Sequence, residues 1–394
     1  MMNKNEWKKV KLEDVFELQI GRTPSRNNKN YWDNGSNNWI SISDIKENEK
    51  YIEKTKERIT NLAIQDSKIK LVPKNTVIMS FKLSVGKTAI TSQDIYTNEA
   101  IVAFIPKVLN LVDNNFLYYY LQNINWKDGI NKAVKGLTLN KPLISNKIIF
   151  LPDLKIQKQI AKKLDTVFSI LNLKKQQLLE LDKLVKFQFL EIFGDPILNE
   201  KNWKTEKLEN IYKIIDGDRG KNYPKQNEFY KNEFCLFLNA KNVTNFGFNF
   251  DKVEFITKEK DEILRSGKLE RGDIVVTTRG TIGNTAYYDN NITFENIRIN
   301  SGMVILREKE KMNPIFFIKY FQNFRIYNKV VSGTAQPQIP ITNMKNLKII
   351  VPPIELQNKF ADFVKQVDKS KVELQKSIDE TQLLFDSLMD KYFG

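Results

Sequence analysis

Residues 146–160, NKIIFLPDLKIQKQI, return at residues 346–360 as NLKIIVPPIELQNKF. In each copy a β-branched apolar run meets a proline, Pro152 or Pro352, and a glutamine follows at Gln157 or Gln357. The two prolines stand 200 residues apart. That period is several times longer than a solenoid unit, so it marks a duplicated domain pair.

Working outward, the match continues in order. WKKVKLEDVFEL from Trp7 corresponds to WKTEKLENIYKI from Trp203. NTVIMSFKLSVGKTAI corresponds to GDIVVTTRGTIGNTAYY, which sets Gly86 on Gly283 and Thr88 on Thr285. YYLQN ending at Asn123 corresponds to KYFQN ending at Asn323, and both halves close on Phe-Gly. TVIMSF, AIVAFIP, DIVVTTR and GMVILR carry the β-branched character of buried strands. DNNFLYYYLQN and MNPIFFIKYFQN predict short helices, the second with Asn313 as N-cap and Pro314 in the first turn. Their aromatic residues recur at helical spacing, which predicts core packing rather than base stacking.

After each proline comes one long helix. No proline or glycine interrupts Leu154 to Phe193. Counting Leu164 as heptad position a, the a/d series runs Leu164, Val167, Leu171, Lys174, Leu178, Leu181, Val185, Gln188 and Ile192. The same register in the second copy reads Val364, Val367, Lys371, Leu374, Ile378, Thr381, Phe385, Leu388 and Tyr392. This is a coiled-coil seam. About 40 residues make a helix roughly 60 Å long, and its single apolar seam needs a partner. The other copy is the obvious one, with a four-helix oligomer as the alternative.

The tripeptide Gly86-Lys87-Thr88 raises the question of a nucleotide-binding loop. Such a loop needs a glycine where Phe81 stands, so that backbone N–H groups can wrap the phosphates. In the second copy the lysine is Asn284. The two copies share a glycine turn after a strand with a cation close by: Lys82 and Lys87 in one, Arg279 in the other. Backbone N–H and a cation together suit a nucleic-acid phosphate.

Composition sharpens this reading. The chain of 394 residues carries 62 Lys+Arg against 47 Asp+Glu, a net charge of +15. That favours a polyanionic partner, most simply nucleic acid, although a Lys-, Asn- and Ile-rich composition also follows from an AT-rich genome. There is no histidine and one cysteine, Cys235, set in the strand-like EFCLFLNA. Histidine-based acid–base catalysis, Ser-His and Cys-His nucleophiles and structural zinc are thereby excluded. No metal site is expected. Neither a signal peptide nor a membrane span is evident, so a cytoplasmic location is expected. NPIF at Asn313 echoes an amino-methyltransferase motif but lacks its second proline, and paired carboxylates single out nothing in so charged a chain.

Arginine is scarce and therefore informative. Arg22 and Arg26 sit in GRTPSRNNKN, and Arg219 and Lys221 sit in the matching loop DGDRGKNYP. Arginine in such loops suits bidentate contact with guanine or phosphate. A second loop pair, VKGLTLNKPLI and VSGTAQPQIPI, offers Lys135, Thr138 and Asn140 against Gln336 and Gln338. A third, SISDIK and LNAKNV, offers Ser43 and Lys46 against Asn239 and Lys241. These loops differ between the halves while the helix register is kept, as expected of two readers on a common frame.

The layout resembles the specificity subunit of type I restriction–modification enzymes, over essentially the whole chain. The residues that carry the likeness are the two-fold repeat, RGTIGNT, SGTAQPQI followed by KIIVPPIELQ, and the long helix after it. Two departures stand out: Ser84-Val85-Gly86 where the family favours a Gly-x-x-Gly turn, and Asp153 where a second proline is common. The resemblance implies an α+β chain. Target recognition domains at 1–150 and 195–350 would be separated by antiparallel coiled-coil helices at 151–194 and 351–394. It also implies double-stranded DNA with a bipartite site as ligand, and no catalytic centre or bound cofactor on this chain. Two methyltransferase subunits using S-adenosylmethionine, and through them two restriction subunits using ATP and Mg, are the implied partners. A stand-alone DNA-binding scaffold and a nucleotide-dependent nuclease are the alternatives.

Overall fold

The computed structural model describes residues 7–47, 49–126, 139–333 and 336–394. The chain divides into two compact units, one made of residues 1–176 and 375–394, the other of residues 177–374. The two long helices run Leu154–Phe193 and Ile354–Phe393, so each contributes one part to each unit.

In the first unit a five-stranded sheet has the order Phe16–Ile20, Ile101–Pro106, Val77–Ser80, Thr88–Thr91, Tyr51–Ile52. Its pairs are antiparallel except the last, and Val77 lies opposite both Phe104 and Ile90. VIMS is buried at every position because both faces of its strand are covered. The helix Asn114–Asn123 belongs to the larger of the two cores. Asp113 caps it by accepting from Phe116 N at 3.0 Å, and Tyr118, Tyr119 and Tyr120 are buried as core. A smaller sheet joins Glu57–Ile59, Asn37–Ile40 and Tyr96–Thr97.

The second unit repeats the plan. Its main sheet runs Tyr212–Asp216, Met303–Glu308, Ile274–Thr277, Thr285–Tyr287, and Cys235 is buried in the centre of a three-stranded sheet. Asn313 caps the helix Pro314–Asn323, accepting from Ile315 N and Phe316 N. In both units the first strand pairs antiparallel with the last before the long helix: Lys8–Lys11 with Ile148–Leu151, and Thr205–Lys207 with Lys348–Ile350.

The repeated glutamine explains itself at this junction. Gln157 accepts from Asp113 N at 2.9 Å and donates to Pro152 O at 2.8 Å. Gln357 accepts from Asn313 N at 2.9 Å and donates to Pro352 O at 2.8 Å. Each is 1% exposed. One buried amide thus satisfies the N–H of a short helix's cap residue and the carbonyl of the proline before the long helix, groups that burial would otherwise leave unpaired.

Within each unit the long helices pack side by side, the beginning of one against the end of the other. Every a/d position from Leu164 to Ile192 and from Val364 to Tyr392 is buried or half-buried. Phe360, the d position just before Val364, is buried, and so are Phe189, Phe193 and Met389, which are off that register. The helix ends face the domains: Phe193 meets Phe316 with ring centroids 4.8 Å apart, and the half-buried Phe393 meets Phe116 at 5.3 Å. Two seam positions are lysines. Lys174 donates to Ser377 Oγ at 2.7 Å and Thr381 Oγ1 at 2.8 Å, while Lys371 pairs with Asp182 and, at 3.6 Å, with Asp368. Polar groups at seam positions of this kind select register at some cost in stability.

Candidate nucleic-acid interface

The glycine turns are built identically in the two units. Gly86 N donates to Ser80 O at 2.9 Å, and Gly283 N donates to Thr277 O at 2.9 Å. The hydroxyl of Ser80 accepts from Lys87 N and donates to Ser84 O, as that of Thr277 accepts from Asn284 N and donates to Thr281 O. The hydroxyl-bearing residue at the end of the strand therefore shapes the turn. The departure at Ser84-Val85-Gly86 leaves this geometry intact: Leu83, on the position of Gly280, takes φ 63° where the glycine takes 74°. Thr88 opens a strand rather than a helix, and its hydroxyl accepts from Gln122 Nε2 at 2.8 Å. Phosphate-binding loops lead into a helix N-terminus, so the Gly-Lys-Thr tripeptide is not one of them.

A second loop is tied to each turn by the same bond. Leu139 N donates to Phe81 O at 2.9 Å, and Ile339 N donates to Thr278 O at 3.0 Å. In the second unit this brings Arg279 and Gln338 together as an isolated antiparallel bridge, with both side chains and that of Gln336 exposed. In the first unit Lys135 and Thr138 lie outside the described residues, and Asn140 caps Lys141–Ser145 by accepting from Leu143 N.

The arginine loops share a glycine that no larger residue replaces: a Cβ on Gly21 would lie 2.0 Å from Thr97 O, and one on Gly217 would lie 2.1 Å from Asn300 O. This close approach carries Arg219 to the turn at 300–302, where its Nη2 donates to Ser301 O at 3.2 Å and to Asp216 at 3.1 Å. Arg279 N bonds Gly302 O on the same turn. Arg219, Arg279 and Gln338 are thus assembled around one edge. Asp218, buried beside them, accepts from Gly220 N at 2.6 Å and Arg265 N at 2.7 Å. Burial alone would raise its pKa, but those N–H groups and the Arg265 guanidinium outweigh burial and hold it at about 2. Lys221 is exposed on the same loop.

In the first unit the arginines are braced by their own domain. Arg22 Nη1 donates to Ser67 O at 2.9 Å. Arg26 forms a two-pronged pair with Glu57 and lies 3.8 Å over the ring of Trp32; the bond to Glu57 raises its pKa against the effect of burial. Lys82 is half-buried with its ammonium 5.5 Å from the Phe81 ring, and Lys87 is 3.7 Å from Glu47. Lys46 pairs with Glu49 at 2.7 Å, and the exposed Ser43 shares a hydrogen bond with Ser41. Asn239 shapes its own loop by accepting from Lys241 N, leaving Lys241 exposed. Two exposed residues escaped the sequence reading: Leu83 and, at a hairpin tip of the second unit, Phe246. The glycine opposite Leu83 in the repeat was the available signal for the first. Among the described residues no group of three or more acidic, Cys or His residues is placed to hold a metal, and no helix is long and apolar enough to cross a membrane.

Comparison with known proteins agrees with this architecture. The family described as the type I restriction modification DNA specificity domain matches residues 4–183 and again 200–381. The MjaIX specificity subunit of Methanocaldococcus jannaschii is 25% identical, over 98% of this chain and 92% of that one. The EcoprrI specificity subunit of Escherichia coli is 30% identical over 29% of this chain and 28% of its own. The S subunit of M. genitalium shares the fold over 100% of this chain and 98% of that one, with a TM-score of 0.57 at 16% identity. A chain solved in work on complex assembly of the type I R-M system aligns over 98% of this chain and 97% of its own, with a TM-score of 0.63 at 16% identity. With two copies of the domain on one chain, the protein belongs to the type I restriction modification DNA specificity family and serves as the subunit that gives such a complex its DNA sequence specificity.

Proposed function

We infer that each unit reads one half of a bipartite duplex through the edge formed by its glycine turn and the loop bonded to it. The observation that carries this is one backbone turn, built twice, bearing Lys82-Leu83-Ser84 in one unit and Arg279-Gly280-Thr281 in the other. A conserved frame with divergent side chains is what two readers of unlike half-sites require, since phosphate contacts position and side chains at base edges specify. The chain supplies recognition and carries no reaction of its own. Two methyltransferase subunits, holding S-adenosylmethionine, assemble on it, and two restriction subunits, holding ATP and Mg, join through them in the cytoplasm. Exchanging residues 1–150 for the corresponding domain of a relative, followed by mapping of methylated sites, tests the reading. One half of the motif should change; a change in both halves, or in neither, overturns it. The purified chain alone, incubated with DNA, Mg and ATP, should neither cleave nor turn over.

A further inference from the structure

Leu83 combines two unfavourable features. It is 79% exposed, and its φ of 63° lies in the left-handed region that side chains with a Cβ avoid. Exposed leucines are ordinary taken singly. Among the described residues with positive φ that are not glycine, however, five are asparagine, two are Lys68 and Arg325, and Leu83 alone is apolar. The repeat shows what the turn itself needs. Gly280 occupies the same position in the same hydrogen-bonded turn, and a Cβ built there meets nothing within 4 Å. A glycine would serve the fold without strain and without an exposed apolar surface. Among the described residues the leucine therefore gains nothing from its own chain, and strained residues that the fold does not require gather where a ligand is met.

We propose that Leu83 is a specificity-determining residue of the first domain, its side chain lying against the C5-methyl of a thymine in the major groove. The inference rests on the turn being a DNA-reading edge. Lys82 and Lys87 flank the leucine within the same turn and supply the cations that hold a phosphate backbone close. Apolar contact with the thymine methyl is a standard means of direct readout. A wedge that unstacks bases is the other use of an exposed leucine, but it has to be braced to carry the cost of unstacking. A side chain 79% exposed has no such backing among the described residues.

The test uses the full chain assembled with its methyltransferase subunits. Its methylated motif is determined first. Each thymine of the first half-site is then replaced by deoxyuridine, which removes only the methyl. Wild type should lose affinity about fourfold at one thymine, the value expected for one buried methyl-sized group. Leu83→Ala should lose a similar factor on the unmodified duplex and be indifferent to deoxyuridine at that position. Its second half-site should be unchanged. Equal deoxyuridine effects in wild type and variant, or a first half-site with no thymine on either strand, overturn the proposal. Absence of any motif overturns the DNA-reading assignment itself. Leu83→Gly removes the side chain and the strain together, so a folded variant is available in either case.

Discussion

Arg279 and Gln338 pair through their backbones as an isolated antiparallel bridge, so both side chains leave the same face of the second unit. Directly opposed residues on antiparallel segments share a face. A guanidinium and an amide side by side are the two groups that read guanine and adenine edges best. Arg279→Ala should weaken specific binding by on the order of 1–3 kcal/mol and relax the second half-site only. Capture of the methyltransferase subunit should be unaffected. Unchanged DNA affinity with lost subunit capture would reverse the assignment.

Gln357 offers a test of the helix junction. Gln357→Leu keeps the bulk but strands Asn313 N and Pro352 O, two groups that are otherwise paired at 2.9 and 2.8 Å. Each buried unpaired group costs about 1–3 kcal/mol. Urea unfolding should show a loss in that range or above, and Gln157→Leu should cost at least as much in the first unit, where its amide also donates to Leu111 O at 3.1 Å. A loss of a few tenths in both would mean the staple is dispensable.

Much of the frame is legible in the sequence because its signals are periodic or repeated. The helix bounds follow from an uninterrupted run without proline or glycine, and the seam follows from the heptad count. The buried Phe189, Phe193 and Met389 escape that count because the helix ends bury a second face against the domains, which a two-helix pattern cannot contain. The partners of the loop arginines escape for another reason. Arg26 meets Glu57 and Arg22 meets Ser67 across strands whose order depends on long-range pairing. The strain at Leu83 is invisible in one copy and becomes readable only beside Gly280.

That equivalence makes an opposite pair of outcomes. Leu83→Gly should leave stability unchanged or raise it by up to about 1 kcal/mol, since left-handed strain is relieved and chain entropy offsets part of the gain. Gly283→Ala should cost about 1 kcal/mol or more, because φ 85° is strained for any residue with a Cβ and the Tyr327 ring, 2.2 Å from that Cβ, would have to move. Thermal or urea midpoints of both variants decide the matter. A destabilised Leu83→Gly would show that the leucine serves the fold after all.

Asp218 predicts an acid limit for the loop that carries Arg219. Its folded pKa of about 2 lies below the ordinary aspartate value. Its contribution is therefore fully present above about pH 4 and is lost as pH falls toward 2. Asp218→Asn should lower stability at neutral pH and flatten the profile between those values. An unaltered profile would place the acid-sensitive group elsewhere.

The first compact unit draws its last twenty residues, 375–394, from the far end of the chain. Phe393 packs on Phe116 and Tyr120, and Met389 and Tyr392 belong to the core that holds Phe104 and Leu117. A nascent chain emerging from the ribosome thus cannot complete its first domain until residues 375–394 have followed the whole of the second. The residues of the second domain, 177–374, are all available earlier. The order of translation and the order of folding are inverted. A stop codon after residue 374 would accordingly wound the domain that opens at residue 1 and spare the one made of residues 177–374.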